Sequence, residues 1–102
     1  MIQRIALFKL NAENAQGGPR AQIAARTREV LAGLPQVRAI EVGLPADEAA
    51  ERSWDLSIVL RFDSLEDAEA FRVDPAHRAY ADEYMRPRVE VVKAWNFEIS
   101  AD

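Results

Sequence analysis

"WDLSIVLRFDSLEDAEAF", residues 54–71, changes its apolar period halfway along. Trp54, Leu56, Ile58, Leu60 and Phe62 alternate with Asp55, Ser57, Val59 and Arg61, the period of two that gives a strand one apolar face. From Asp63 onward the spacing lengthens, and Leu65, Ala68 and Phe71 form the stripe of a short amphipathic helix. Ser64 stands at the N-cap position with Asp67 three residues later, an acidic version of the capping box. The stretch predicts a strand that runs straight into a helix, and the rest of the chain has to supply its neighbours.

Upstream, the same strand-then-helix order occurs once before. About Ile2 to Leu10, Arg4, Ala6, Phe8 and Leu10 fall on one face and Ile5, Leu7 and Lys9 on the other. "NAENAQGGPR" then breaks the pattern, and Gly17-Gly18-Pro19 is punctuation that can start a helix with Pro19 in its first turn. Ile23, Thr27, Val30, Leu31 and Leu34 recur at helical spacing, with Arg20, Arg26 and Arg28 mostly pointing elsewhere, until Gly33 and Pro35 end the helix. "QVRAIEVGL" (36–44) reads as a second strand, and the polar "PADEAAERS" (45–53) as a hairpin loop leading to Trp54. Downstream, "VDPAHRAYADEYMRP" (73–87) predicts a short third helix capped by Asp74, with Pro75 in its first position and its end before Pro87. Val89, Val91, Lys93, Trp95, Phe97 and Ile99 alternate in a long last strand.

The predicted order, β-α-β-β-α-(α)-β, is the split pattern of an α+β ferredoxin-like domain, with helices covering one face of a four-stranded antiparallel sheet. Its other face stays open, although the first and last strands carry large apolar residues on both sides. Phe8 and Leu10 oppose Ile5 and Leu7, and Val92 and Ala94 lie behind Val91 and Trp95. Leaving that face in water would expose an apolar patch of unusual size. A homodimer through the sheet faces, forming a dimeric α+β barrel, is therefore expected.

Composition narrows the remaining classes. At 102 residues the chain has the length of one domain, 1–102, and 49% hydrophobic residues suffice for a core without staples. The absence of cysteine excludes disulfides, thiolate nucleophiles and thiolate metal sites, and fits a cytoplasmic setting. "MIQRIALFKL", broken by Arg4 and Lys9, reads as too short and too charged for a signal peptide or membrane span. Net charge is −4 and the Lys and Arg residues are scattered among acids, so neither nucleic acid nor membrane is an expected partner. One histidine without an acidic cluster of ligand spacing predicts no metal site beyond weak Mg²⁺ on backbone carbonyls. No cofactor motif is found.

"RIALFKL", "LAGLPQVRAIEVG", "WDLSIVLRFDSLEDAEAF", "DPAHRAYADEYMRP" and "VVKAWNFE" together resemble the stress-responsive A/B barrel domain, or Dabb, family over roughly Met1 to Ile99. The resemblance implies the fold and the dimer, and leaves the reaction open, because some relatives are polyketide cyclases and others stable stress-linked oligomers. In the cyclase branch the histidine of the "PAH" turn is the general base, and it matches His77. A second histidine of that branch falls on Arg4, and a tyrosine on Phe71. Arg4 keeps positive charge there and suits an anionic substrate, whereas Phe71 lacks a hydroxyl that could polarise a carbonyl.

His77 lies three residues after the Asp74 cap, in a first helical turn whose dipole favours the neutral imidazole that a base requires. The alternative is a helix-start residue bonded to a nearby carboxylate or carbonyl. Tyr80 and Tyr84, three and seven residues on, can share its helix face as pocket walls or as edge packing. Trp54 and Trp95 read as core or dimer interface, and Asp82 and Glu83 as solvated charges. The expected function is binding of a small hydrophobic or aromatic molecule in a pocket between sheet and helices near His77, with Arg4, Phe71, Tyr80 and Tyr84 as substrate-binding candidates. The other readings are a cofactor-free cyclase-like or monooxygenase-like enzyme with His77 catalytic, and a purely structural stress protein.

Overall fold

The computed structural model describes residues 1–100. In chain order the elements are β1 (Ile2–Leu10), α1 (Gly17–Ala32), β2 (Ala39–Gly43), α2 (Glu48–Ser53), β3 (Leu56–Phe62), α3 (Leu65–Val73), α4 (Pro75–Ala79) and β4 (Val89–Glu98). A π-helical turn, Tyr80–Met85, and a 3-10 turn, Arg86–Arg88, join α4 to β4. The four strands form one sheet in the order β2-β3-β1-β4, antiparallel throughout. No helix among the described residues is long and apolar enough to cross a membrane.

Alternation decides which face is covered. Ile2, Ala6 and Leu10 of β1 are buried, as are Leu56, Ile58, Leu60 and Phe62 of β3, and the register sets Ala6 beside Ile58 and Ile2 beside Phe62. Ile40 and Val42 of β2 sit opposite Leu60 and Ile58 and continue this inner face. From the helices, Ile23, Ala24, Thr27 and Leu31 of α1 and Ala68 and Phe71 of α3 close over it. The predicted caps form as read: Ser64 Oγ accepts from the Asp67 N–H at 3.1 Å, and Asp74 Oδ1 from the Ala76 N–H at 2.9 Å. Gly17 begins α1 with φ +47°, in the left-handed region where a Cβ is strained, which suits glycine at this turn into the helix.

Three expectations change. The stretch 45–53 is not simply a polar loop: Asp47 accepts from the Ala50 N–H at 2.9 Å and starts α2, because Glu and Ala are good helix formers behind an aspartate cap. Trp54 ends that helix, and the third strand begins at Leu56. Asp55, read as part of the polar face of a strand, is 2% exposed. Its Oδ2 accepts the Leu10 N–H at 2.8 Å and its Oδ1 accepts from Arg20 Nη1 at 3.3 Å, while its own N–H donates to the Phe8 carbonyl. This carboxylate stands where the β1–β4 register shifts between Lys9 and Leu10, and it ties β1, β3 and α1 together.

The helices lie over β2 and β3. The inner face of β4 carries no such cover, and that asymmetry creates the site described next.

Candidate functional site

Between the inner sheet face and the α4 segment lies a cleft of about 440 Å³. Buried Ala6, Ile58, Leu60, Phe71 and Met85 form its apolar floor, and exposed Arg86, Glu90 and Val92 stand at its rim. Of the residues singled out in the sequence, Arg4, Phe71, His77 and Tyr80 all line this cleft. Tyr84 does not. It faces a shallow depression beside α1, where Arg88 lies 4.2 Å and Arg26 5.6 Å from its ring centroid. Its ring still stacks on that of Tyr80, centroids 6.1 Å apart, as the helical spacing predicts, and Tyr80 borders this depression as well as the cleft.

His77 is held from two directions. Its ring lies 4.1 Å from the Phe71 ring, centroid to centroid and tilted by 33°, so the phenylalanine is a platform for the imidazole. Its Nδ1 lies 3.2 Å from the Arg72 carbonyl oxygen. A carbonyl only accepts, which assigns the proton to Nδ1 and leaves the lone pair on Nε2. Partial burial pushes the imidazole below its ordinary 6.5, helped by the charges of Arg78 and Arg4 and opposed by the Arg72 carbonyl and Asp74. The neutral form that the sequence attributed to a helix dipole thus follows mainly from desolvation.

These causes predict that the His77 imidazole titrates with a midpoint below 6.5, as read by nuclear magnetic resonance. Because the folded value is depressed, the stabilising contribution is complete above the unfolded-state value. It is lost as pH falls through the folded midpoint. A midpoint above 6.5 would show that Asp74 and the Arg72 carbonyl outweigh burial.

Tyr80 presents its ring to the cleft while its hydroxyl shares a 2.7 Å hydrogen bond with Thr27 Oγ1, which is fully buried. Burial pushes the Tyr80 phenol up to about 12, so it stays neutral through the physiological range. The Tyr80→Phe substitution should cost about 1–2 kcal/mol in urea unfolding, since it leaves the Thr27 hydroxyl without its partner. An unchanged unfolding midpoint would mean that Thr27 finds another acceptor.

Arg4 points from the middle of β1 into the same space, and its Nη1 donates to Asn96 Oδ1 at 3.2 Å. Burial and the nearby Arg72 charge lower its affinity for a proton relative to a free guanidinium. Asp82 is not a free surface charge: it pairs with Arg78 at 2.6 Å and with Arg86 at 3.0 Å. These three residues form part of the cleft lining, a feature that the sequence reading did not single out. Their i, i+4 charge spacing was the available signal.

The family model described as Stress responsive A/B Barrel Domain matches residues 2–99. Among solved structures, a Dabb family protein with a ferredoxin-like fold from Mesorhizobium loti superposes with a TM-score of 0.82 at 13% identity, covering 98% of this chain and 97% of that one. A dimeric ferredoxin-like protein from Thermobifida fusca gives 0.77 at 24% identity, covering 96% and 90%. Hydroxynitrile lyase from Passiflora edulis gives 0.78 at 18% identity, covering 99% and 94%. No curated protein matches the chain.

Proposed function

This chain belongs to the stress-responsive A/B barrel domain family, and from that premise we propose that it binds a small hydrophobic or aromatic molecule in the cleft beside His77 and transfers a proton on it. One observation carries the reading. His77 lines an apolar-floored cleft and its Nδ1 lies 3.2 Å from the Arg72 carbonyl, an arrangement that favours the tautomer whose Nε2 can act as base. The base and the neighbouring cation, Arg4, are both side chains of the protein, so proton transfer next to a carbonyl needs no cofactor: Nε2 takes the proton, and positive charge steadies the enolate oxygen. That a protein of the same fold from Passiflora edulis is a hydroxynitrile lyase supports an enzymatic use of the architecture.

Exchange of the α-protons of an aryl-substituted methyl ketone in deuterated water tests this, with the ketone standing in for the natural substrate. The protein should accelerate exchange, and His77→Gln, which keeps the size and removes the base, should reduce the acceleration by about a hundredfold or more. Wild-type protein that leaves the exchange rate at its buffer value would reject proton transfer. Binding would then have to stand on ligand titration alone.

The assembly belongs to the same proposal. Related structures are described as dimeric, and here Trp95 and Phe97 of β4 are 46% and 50% exposed on the sheet face away from the helices. We propose that a second copy covers this face, leaving each protomer its own cleft on the opposite side of the sheet.

A further inference from the structure

The inner face of β1 reads Ile2, Arg4, Ala6, Phe8 and Leu10, a guanidinium in a row otherwise apolar. Among the described residues no carboxylate pairs with it, and its hydrogen-bond partner is the neutral amide oxygen of Asn96 at 3.2 Å. The other arginines near this site are engaged. Arg78 and Arg86 share Asp82, and Arg72 is paired with Glu69 at 2.6 Å. Glu98, opposite Ile2 and one pair along the same face, is exposed and forms no ion pair with Arg4, and Glu90, which also lines the cleft, lies by the Leu10 end of the β1–β4 ladder, roughly 17–20 Å away.

A partly buried cation that lacks a counter-charge loses hydration without recovering it in an ion pair. An anionic group on a bound ligand would restore that lost interaction. We infer that the ligand of this cleft is a small carboxylic acid with an apolar body, its carboxylate on Arg4 and its hydrocarbon over Phe8, Leu60 and Phe71. The guanidinium fork matches a carboxylate, and Asn96 holds one of its amino groups. This inference rests on the cleft-binding reading and adds the chemical class of the ligand. Arg4 also lies near enough to influence His77 electrostatically, so a carboxylate seated on it brings negative charge towards the imidazole.

Phenylacetate and its neutral counterpart phenylacetamide, titrated into isotopically labelled protein, test the inference. The acid should bind at least about tenfold more tightly than the amide, perturb resonances of Arg4, Phe71 and His77, and raise the His77 titration midpoint, which the amide leaves in place. In Arg4→Met, which keeps an unbranched apolar stem and removes the guanidinium, the two affinities should become equal and the fold should be at least as stable as wild type. Equal affinities in the wild-type protein would overturn the carboxylate assignment while leaving the cleft as a binding site. So would a preference that survives in Arg4→Met, acid-induced shifts centred on Tyr84 and Arg88, or unfolding of Arg4→Met, which would make the charge structural. If neither compound binds, the cleft-binding reading falls and this inference with it.

Discussion

Replacing Asp55 by alanine should remove about 3–5 kcal/mol of folding stability, the cost of breaking a buried ion pair by deleting one partner. The carboxylate is 2% exposed and both its oxygens are used, one by the Leu10 N–H and one by Arg20. Without it, the Leu10 N–H loses its acceptor where the β1–β4 register shifts. Arg20 keeps only Glu51, whose side chain is 58% exposed, and an exposed pair of that kind contributes little. Asp55→Asn retains an amide oxygen that can accept from Leu10 and should therefore lose clearly less. Equilibrium urea unfolding of the three proteins measures both losses, and equal midpoints for wild type and Asp55→Ala would show that the clamp is dispensable.

The second large effect concerns assembly. On the open face Val59, Ile5 and Trp95 lie side by side across β3, β1 and β4, with Leu7 and Phe97 flanking them and Lys93 opposite Leu7. Exposed aromatics in the middle of an apolar row are the residues that dominate interfaces when they find a pocket. In an isologous dimer each substitution acts twice. Trp95→Arg should therefore raise the dimer dissociation constant by at least about a thousandfold, from two losses of about 2 kcal/mol each. Light scattering at micromolar concentration should give a dimer for the wild type and a monomer for Trp95→Arg. Val73→Arg, a change at an exposed apolar residue that ends α3, should remain dimeric. A monomeric wild type, or a Trp95→Arg protein that stays dimeric, removes the proposed sheet-to-sheet assembly.

The proposed dimer face and the cleft are separate surfaces. Strand alternation sends Trp95 outward and Ala94 inward, so the assembly face and the cleft are opposite surfaces of the same strand. A charge at Trp95 should disturb assembly before it disturbs ligand contacts, whereas a change at Arg4 or His77 should do the reverse.

Much of this architecture was already written in local patterns. The period of two in β1 and β3, the helical spacing in α1 and α3, and the caps at Ser64 and Asp74 depend on residues a few positions apart, and they formed as read. The resemblance carried by the "PAH" turn pointed to His77, and the structure brings Arg4, Phe71 and Tyr80 to the same cleft. Tertiary packing decided what those residues can do. The Tyr80 hydroxyl meets Thr27 across 53 positions, Arg20 meets Asp55 across 35, and Asn96 reaches Arg4 across 92. None of these meetings has a sequence period. The sequence by itself determined the order of the four strands and of the helices other than α2, because hydrophobic alternation and capping act within a few residues. Only the tertiary structure decided that Asp55 is a buried clamp, that His77 keeps its lone pair on Nε2, and that Arg4 lacks a counter-ion among the described residues, because burial and charge pairing depend on which distant segments come together.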